Sequence, residues 1–324
     1  METKEGLVFA YILDGKGGGA PIDWETLNQW SPEKGTLWIH LNYTSEKVKH
    51  WLSENSGLSP ILCESLLAEE TRPRCVSSNE GLLLILRGVN CNPGSDPEDM
   101  VSLRMLFDEH RIITMRHRRV MAVDDMNHAI QSGSGPTSSD DFLVMIARGL
   151  TDRIGDVIAD IDDSVDELED DVLTAQSYEL RPKLATLRRQ TISLRRYIAP
   201  QRDVLTRLQI ERIPWLEDLS KAHIRELAER TSRFVEDIDA AKDRAAITQE
   251  ELNSRLSEQM NKAMYLLSIV AAIFLPLGLI TGLLGINVGG IPGAENKTAF
   301  IIVTVSLVAL AGMLVGVFKR IKWL

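Results

Sequence analysis

Ala263 to Leu284 reads AMYLLSIVAAIFLPLGLITGLL, an apolar run without a single Asp, Glu, His, Lys or Arg. At 1.5 Å per residue, about 22 helical residues reach about 33 Å, enough to cross the roughly 30 Å hydrocarbon layer of a bilayer. Thr298 to Phe318 (TAFIIVTVSLVALAGMLVGVF) is a second run of the same kind. Buried helices of soluble proteins are seldom so long and charge-free, so both runs are expected to span a membrane. Residues 285–297 between them (GINVGGIPGAENK) form a Gly-rich loop too short to be a domain. Lys262 precedes the first run and Lys319, Arg320 and Lys322 follow the second, against one lysine in the loop. The positive-inside bias then puts both ends of the hairpin in the cytoplasm and the loop outside.

Everything ahead of these runs is highly charged. Over the 324 residues, 46 Asp and Glu outweigh 36 Lys and Arg for a net charge of -10. A nucleic-acid partner would need a basic face, so none is expected. Cys63, Cys75 and Cys91 form no CxxC pair. Such a sparse, odd set suits a reducing cytosol and gives no disulfide framework. The opening METKEGLVFAYILDGKGGG carries acids and a short apolar stretch with no small-residue cleavage site, and is not expected to be a signal peptide.

Residues 1–131 mix strands and helices. Leu7–Asp14, Leu37–Tyr43, Leu82–Asn90 and Ser102–His117 have strand character, the last folding back at Asp108-Glu109-His110. Helix starts are signalled at Thr44-Ser45 and at Ser59-Pro60, where an N-cap precedes proline at the first helical position. Gly17-Gly18-Gly19 lacks the context of a phosphate cradle and is expected to be a turn. The six histidines (His40, His50, His110, His117, His128, His223) have no HExxH or HxxxH spacing. No inner-sphere metal-ligand cluster, nucleophile–base pair or cofactor motif is apparent, so the chain is not expected to be an enzyme. Ser132 to Ser139 (SGSGPTSS) has the composition of a linker.

From Asp140 the pattern is helical. Ile154, Ile158, Ile161, Val165, Leu168 and Val172 form one heptad seam, and Leu180, Leu184, Leu187, Thr191, Leu194 and Ile198 a second. Joined around Ser177–Glu179, they predict an antiparallel hairpin. The first arm is acidic (Asp156, Asp160, Asp163, Asp166, Glu167, Asp170, Asp171) and the second basic (Arg181, Lys183, Arg188, Arg189, Arg195, Arg196). Pairing across the hairpin is the plain account; an acidic arm that attracts cytosolic cations is the other. A third helix is expected to start after Pro214, near Ser220, and to continue without interruption into the first span. Carried to Leu284 it is about 65 residues and roughly 100 Å long.

That long helix bears a stripe of 3.5-residue period. It comprises Glu236, Ala240, Asp243, Ile247, Glu250, Ser254, Ser257, Asn261, Met264, Ser268, Ala271, Leu275, Gly278 and Gly282. No Lys or Arg falls on it. If identical helices surround an axis, each position becomes a ring: acidic at Glu236, Asp243 and Glu250, then small or weakly polar within the membrane. Carboxylate rings concentrate cations and a constriction controls them, which is how a cation pathway is built. A solvated acidic helix face is the alternative, since a two-helix anchor encloses a pore only by oligomerising. At the end of the span, Gly285 allows a tight turn and Asn287 offers a neutral carbonyl oxygen. Glu295, the one acid of the loop, could draw cations to the mouth.

With Leu284-Gly285-Ile286-Asn287, the GxN-x-GG-x-PG run from Gly285 to Gly293 and the terminal Lys322-Trp323-Leu324, the chain resembles the CorA metal-ion transporter superfamily, and within it the zinc-transporting ZntB branch. Leu67–Arg74 (LAEETRPR) is similar to the superfamily as well. The magnesium branch carries Tyr-Gly-Met-Asn at the loop, and Ile286 stands here in place of its Met. The resemblance implies an α+β cytoplasmic domain with a long stalk helix and two C-terminal transmembrane helices, assembled as a funnel-shaped homopentamer in a bacterial inner membrane with both termini cytoplasmic. Gly285, Ile286 and Asn287 match its signature loop, and Asn261, Met264, Leu275 and Gly278 its pore-facing positions. The expected layout is an α/β domain at 1–131, hairpin and stalk at 140–262, spans at 263–284 and 298–318 around the periplasmic loop 285–297, and a basic tail at 319–324.

The resemblance also implies proton-coupled zinc uptake. No ionisable carboxylate, His, Lys or Arg lies between Ala263 and Ala294, so a titrating group would sit at an end, such as Glu295, Glu258 or Glu250. Zinc favours Cys and His ligands, and none lies on the stripe, so the ion is expected to pass largely hydrated past outer-sphere oxygens. Two alternatives remain at this point: a magnesium, cobalt or nickel channel of the same architecture, and a non-transporting membrane-anchored coiled-coil scaffold.

Overall fold

The computed structural model describes residues 5–69, 71–174, 177–285, 293 and 296–320. Two compact units divide the chain, residues 1–249 and 250–324.

The first unit is built on a seven-stranded mixed sheet. Its strands are β1 (Leu7–Leu13), β2 (Gly19–Pro21), β3 (Thr36–Asn42), β4 (Arg74–Ser78), β5 (Gly81–Gly88), β6 (Val101–Phe107) and β7 (Arg111–Arg116), in spatial order β2-β1-β3-β7-β6-β5-β4. β3 and β7 run parallel, with Leu37 opposite Arg111 and Asn42 opposite Arg116, and the other pairings are antiparallel. The turn expected at Asp108–His110 joins β6 to β7, and the Asp108 carboxylate accepts the backbone N–H of His110 at 2.9 Å. β3, β5, β6 and β7 are buried along most of their length, the signature of a sheet covered on both faces.

One face packs against α2 (Glu46–Glu54) and α3 (Pro60–Leu67) through Ile39, Leu41, Leu83, Leu106, Ile113 and Met115. Both helices begin where the sequence signals them, with Ser45 and Ser59 as extended N-cap residues and Pro60 in the first turn. The other face packs against α4 (Met121–Gln131), α5 (Ser139–Thr174), α6 (Ser177–Ile210) and the start of α7 (Asp218–Gly285). Phe142 of α5 lies edge-on to Trp38 at 5.1 Å and to Phe107 at 6.0 Å between ring centroids. Residues from the segments 1–131 and 140–262 thus share one core. The short helix α1 (Trp24–Asn28) is capped by Asp23, whose carboxylate accepts the Thr26 N–H at 2.9 Å.

Ser132–Ser139 is a packed connection rather than a loose linker. Gly135 N–H donates to the Gly17 carbonyl at 2.7 Å, and a Cβ at Gly17 (φ 96°) would stand 2.8 Å from the Gly133 carbonyl oxygen. The glycines are there so that two backbones can touch. Asp140, next along, is buried and accepts from the Ser220 hydroxyl at 2.8 Å, tying the start of α5 to the start of α7.

Both heptad seams of the hairpin are buried from Ile154 to Val172 and from Leu180 to Ile198. In the second unit, the 250–285 part of α7 and helix α8 (Ala299–Arg320) are each long and apolar enough to cross a membrane. Their apolar side chains mostly face outward, Leu252 and Ile269 being the buried residues among those described. A surface of Leu266, Leu267, Phe274, Phe300 and Ile301 left in water would be costly, and lipid or further protein relieves it.

Candidate ion pathway along the stalk helix

α7 has two unlike faces. In the first unit Thr231, Val235, Ile238, Ala241, Ala245 and Thr248 point inward and are buried. Their 4-3-3-4-3 spacing is an apolar-to-neutral helical seam. Glu236, Ala240, Asp243 and Ile247 lie on the opposite side and are exposed, Ile247 at 67%. In the second unit Glu250, Asn261, Met264, Ser268, Ala271, Leu275, Gly278 and Gly282 are exposed too, as is Gly285 at the helix end. A Cβ added at Gly278, Gly282 or Gly285 would meet nothing within 4 Å. The whole described stripe is therefore free of cover from its own chain. Ser268 and Thr281 donate their hydroxyls back to the Met264 and Leu277 carbonyls at 2.8 and 3.0 Å, so neither leaves an unsatisfied donor. Ile286, Asn287 and Glu295, the expected mouth of the pathway, lie outside the described residues.

The acids of the stripe are little neutralised. Lys242 Nζ approaches Asp243 at 3.5 Å, and Glu236 has no ion pair among the described residues. Arg230 and Arg244 of α7 turn the other way. Arg244 donates to Asp162 at 2.9 Å, to Glu169 at 2.7 and 3.0 Å, and to Asp166, all on α5. The hydrogen bonds it donates to Glu169 and then to Asp166 raise the pKa of the Arg244 guanidinium above the ordinary arginine value. Arg230 pairs with Asp152 of α5. Arg195 of α6 meets Asp239 of α7 at 2.7 Å, and that bond holds the Asp239 carboxyl below the usual carboxylate range.

Among the described residues, α7 supplies Arg230 and Arg244 as partners for the acidic arm. Across the hairpin itself, Lys183 reaches Asp171 at 3.8 Å. The reason is geometric: the α5–α6 seam is apolar, and the acids at Asp162, Asp166 and Glu169 face α7 instead. Their i, i+4, i+7 spacing was the available sequence signal for this face. Asp156, Asp160, Asp163 and Glu167 stay exposed. No group of three or more His, Cys, Asp or Glu able to hold a metal occurs among the described residues. His40 is a core residue, fully buried, with Nδ1 2.8 Å from the Thr114 hydroxyl; burial and then Arg116 depress its pKa well below the usual histidine value.

An exposed acidic-to-neutral helix face that leads into two lipid-compatible helices can be compared with known proteins. The family described as "CorA-like Mg2+ transporter protein" matches residues 33–320. The Zinc transport protein ZntB of Yersinia pseudotuberculosis serotype O:1b is 38% identical over 317 residues, covering 98% of this chain and 96% of that protein. The Divalent cation transporter CmaX of Pseudomonas aeruginosa is 38% identical over 329 residues, 99% of this chain and 98% of that one. Among solved structures, full-length CmaX superposes with a TM-score of 0.85 at 37% identity, covering 99% of both chains. The chain belongs to the CorA-like family, and it is a divalent-cation transporter of the membrane rather than an enzyme.

Proposed function

We propose that this chain is a zinc transporter of the bacterial inner membrane, a homopentamer whose pore is lined by the exposed stripe of α7. The observation that carries this is the two-faced part of the helix in the first unit: Thr231, Val235, Ile238, Ala241, Ala245 and Thr248 are buried in the chain's own core, and the side bearing Glu236, Asp243 and Ile247, whose period continues to Asn261 and Gly278, is bare. A 3.5-residue stripe drifts about 20° per heptad on a straight helix, so it stays on an axis when helices wind round one another. Five copies would set five carboxylates at each acidic level. Residues 1–131 and 140–262 would then be cytoplasmic, 263–284 the pore-lining span, 285–297 the periplasmic loop, 298–318 the outer span and 319–324 a cytoplasmic basic tail, in the orientation favoured by Lys262, Lys319, Arg320 and Lys322.

Zinc is favoured over magnesium by the name of the ZntB relative and by Ile286 at the signature loop. With no Cys or His on the stripe, the ion passes hydrated, ordered by the Asn261 and Asn287 oxygens. Proton coupling would use a carboxylate at an end of the span: Glu250, Glu258 or Glu295. The test is zinc influx into proteoliposomes with an imposed pH gradient, competed by Mg2+, Co2+ and Ni2+. Zinc influx stimulated by the gradient and resistant to a large excess of Mg2+ is expected. Equal competition by Mg2+, Co2+ or Ni2+ would favour a channel for those ions, and absence of any flux a scaffold.

A second expectation concerns the acids. Neutralising them together (Glu236→Gln, Asp243→Asn, Glu250→Gln) should slow zinc influx several-fold at about 0.01 M salt, where the Debye length is about 30 Å, and the gap should close near 0.15 M, where it is about 8 Å. Influx that is the same for both proteins at both salts would remove the acidic rings from the mechanism.

A further inference from the structure

Three arginines meet on the α2/α3 face of the sheet. Arg74 of β4 and Arg104 of β6 are both paired with Ile85 of β5, from its two sides, and Arg87 of β5 is paired with Ser102 of β6, one same-face position further on. Strands lie about 4.8 Å apart, so this register gathers three guanidiniums within one small region. Arg104 is fully buried. It donates Nη1 to the Leu66 carbonyl and stacks under Tyr43 with its Cζ 3.7 Å from the ring centroid, while its Nε and Nη2 have no hydrogen-bond partner among the described residues. Arg74 Nε and Arg87 Nε are buried without a partner as well. The hydrogen bonds these arginines do make go to neutral carbonyls: Arg74 to Ser65 at 3.1 Å, Arg87 to Met100 and Thr71 at 2.7 Å each. Among the described residues, no carboxylate forms an ion pair with any of the three.

This is an expensive arrangement for a protein interior. A buried charge is normally paired, and an orphaned buried donor asks for an explanation such as a bound water or ion. Burial, with the like charges of Arg87 and Arg74 behind it, lowers the Arg104 pKa. A cavity of about 400 Å³ opens beside the cluster, and Tyr43, Arg87, Ser102 and His117 line it. Of the acids at this cavity, Asp99 is engaged by Arg118 and Glu69 is exposed.

We propose that this cavity binds a phosphate group, with Arg87 as its direct ligand and the half-buried Arg74 and the buried Arg104 as the positive charge behind it. Planar guanidinium forks match the oxygens of phosphate, and a dianion offsets more of a triple positive charge than a carboxylate does. Tyr43, Ser102 and His117, which also line the cavity, carry further hydrogen-bonding groups. Because Arg87 also stacks on Tyr197 of α6 at 4.4 Å, and its N–H donates to Gln201 of α6 at 2.7 Å, an occupant would brace the sheet against the hairpin.

The test is calorimetric titration of the detergent-solubilised full chain with orthophosphate and, separately, with adenosine monophosphate, at constant ionic strength against a chloride control. One saturable site per chain for at least one of them is expected; orthophosphate alone marks a free anion, and tighter binding of the monophosphate a phosphate ester. Arg87→Gln should weaken it at least about tenfold, and Arg87→Lys, which keeps the charge without the fork, by less. Arg104→Gln should also weaken it, and if that variant does not fold, the two Arg87 variants decide. No heat beyond chloride, or binding unchanged by Arg87→Gln, would overturn the proposal.

Discussion

Asn287→Ala, reconstituted in proteoliposomes, is expected to transport zinc roughly tenfold to a hundredfold more slowly than the parent chain: in the proposed pore the amides together would contribute about 1.5–3 kcal/mol to holding the ion, and about 1.4 kcal/mol is a factor of ten. The argument starts from what lies on either side. Between Ala263 and Ala294 there is no ionisable carboxylate, imidazole, ammonium or guanidinium, so a cation entering this stretch has only dipoles to replace its water. The amide oxygen of Asn287 is the strongest neutral acceptor at the end of the span. A ring of them would hold a hydrated cation without the trapping a ring of full charges would cause. Asn287→Asp separates dipole from mere size: it should bind the ion more tightly and release it more slowly, so that flux saturates at lower zinc. Zinc flux in Asn287→Ala equal to that of the parent would take the loop out of the mechanism while leaving the family assignment untouched.

Phe142→Ala should strongly destabilise the first unit. The ring is fully buried and edge-on to Trp38 and Phe107, at the junction of α5 with the middle of the sheet. Truncating a buried Phe removes its transfer energy and leaves a cavity, about 3–5 kcal/mol together. Against a total of roughly 5–15 kcal/mol that is a large share. Denaturant unfolding followed by tryptophan fluorescence is a direct measure, because Trp38 is one of the ring's partners. Ile61→Ala, on an α3 side chain that is 75% exposed, is the control and should change stability by less than about 0.5 kcal/mol. Similar losses for the two variants would mean that the Trp38–Phe142–Phe107 cluster is not the joint between sheet and hairpin.

Most of the helical part was legible in the residues. The seams Ile154–Val172 and Leu180–Ile198 repeat every three or four positions, and hairpin packing depends on neighbours only a turn away, so the pattern alone predicts burial. The strands with continuous apolar runs, such as Leu82–Leu86, were equally visible. β4 was not: its sequence, RCVSS, is polar and mostly exposed, as an edge strand is free to be. Nor was β2, three residues of Gly-Ala-Pro held by the register of β1. α4, Met121–Gln131, begins at Val120 without a side-chain cap and gives no start signal.

By itself, then, the amino-acid order determined the two lipid-length helices, the paired seams and the uncharged-to-acidic stripe, since each is a property of spacing and content along one helix. Which charges meet was decided only in three dimensions. Arg244 finds Asp162, Asp166 and Glu169 about eighty positions away in sequence, and Arg74, Arg87 and Arg104 come together because three strands pair in one register. A side chain's solvation and its partners depend on whatever long-range closure brings beside it, and no local period encodes that.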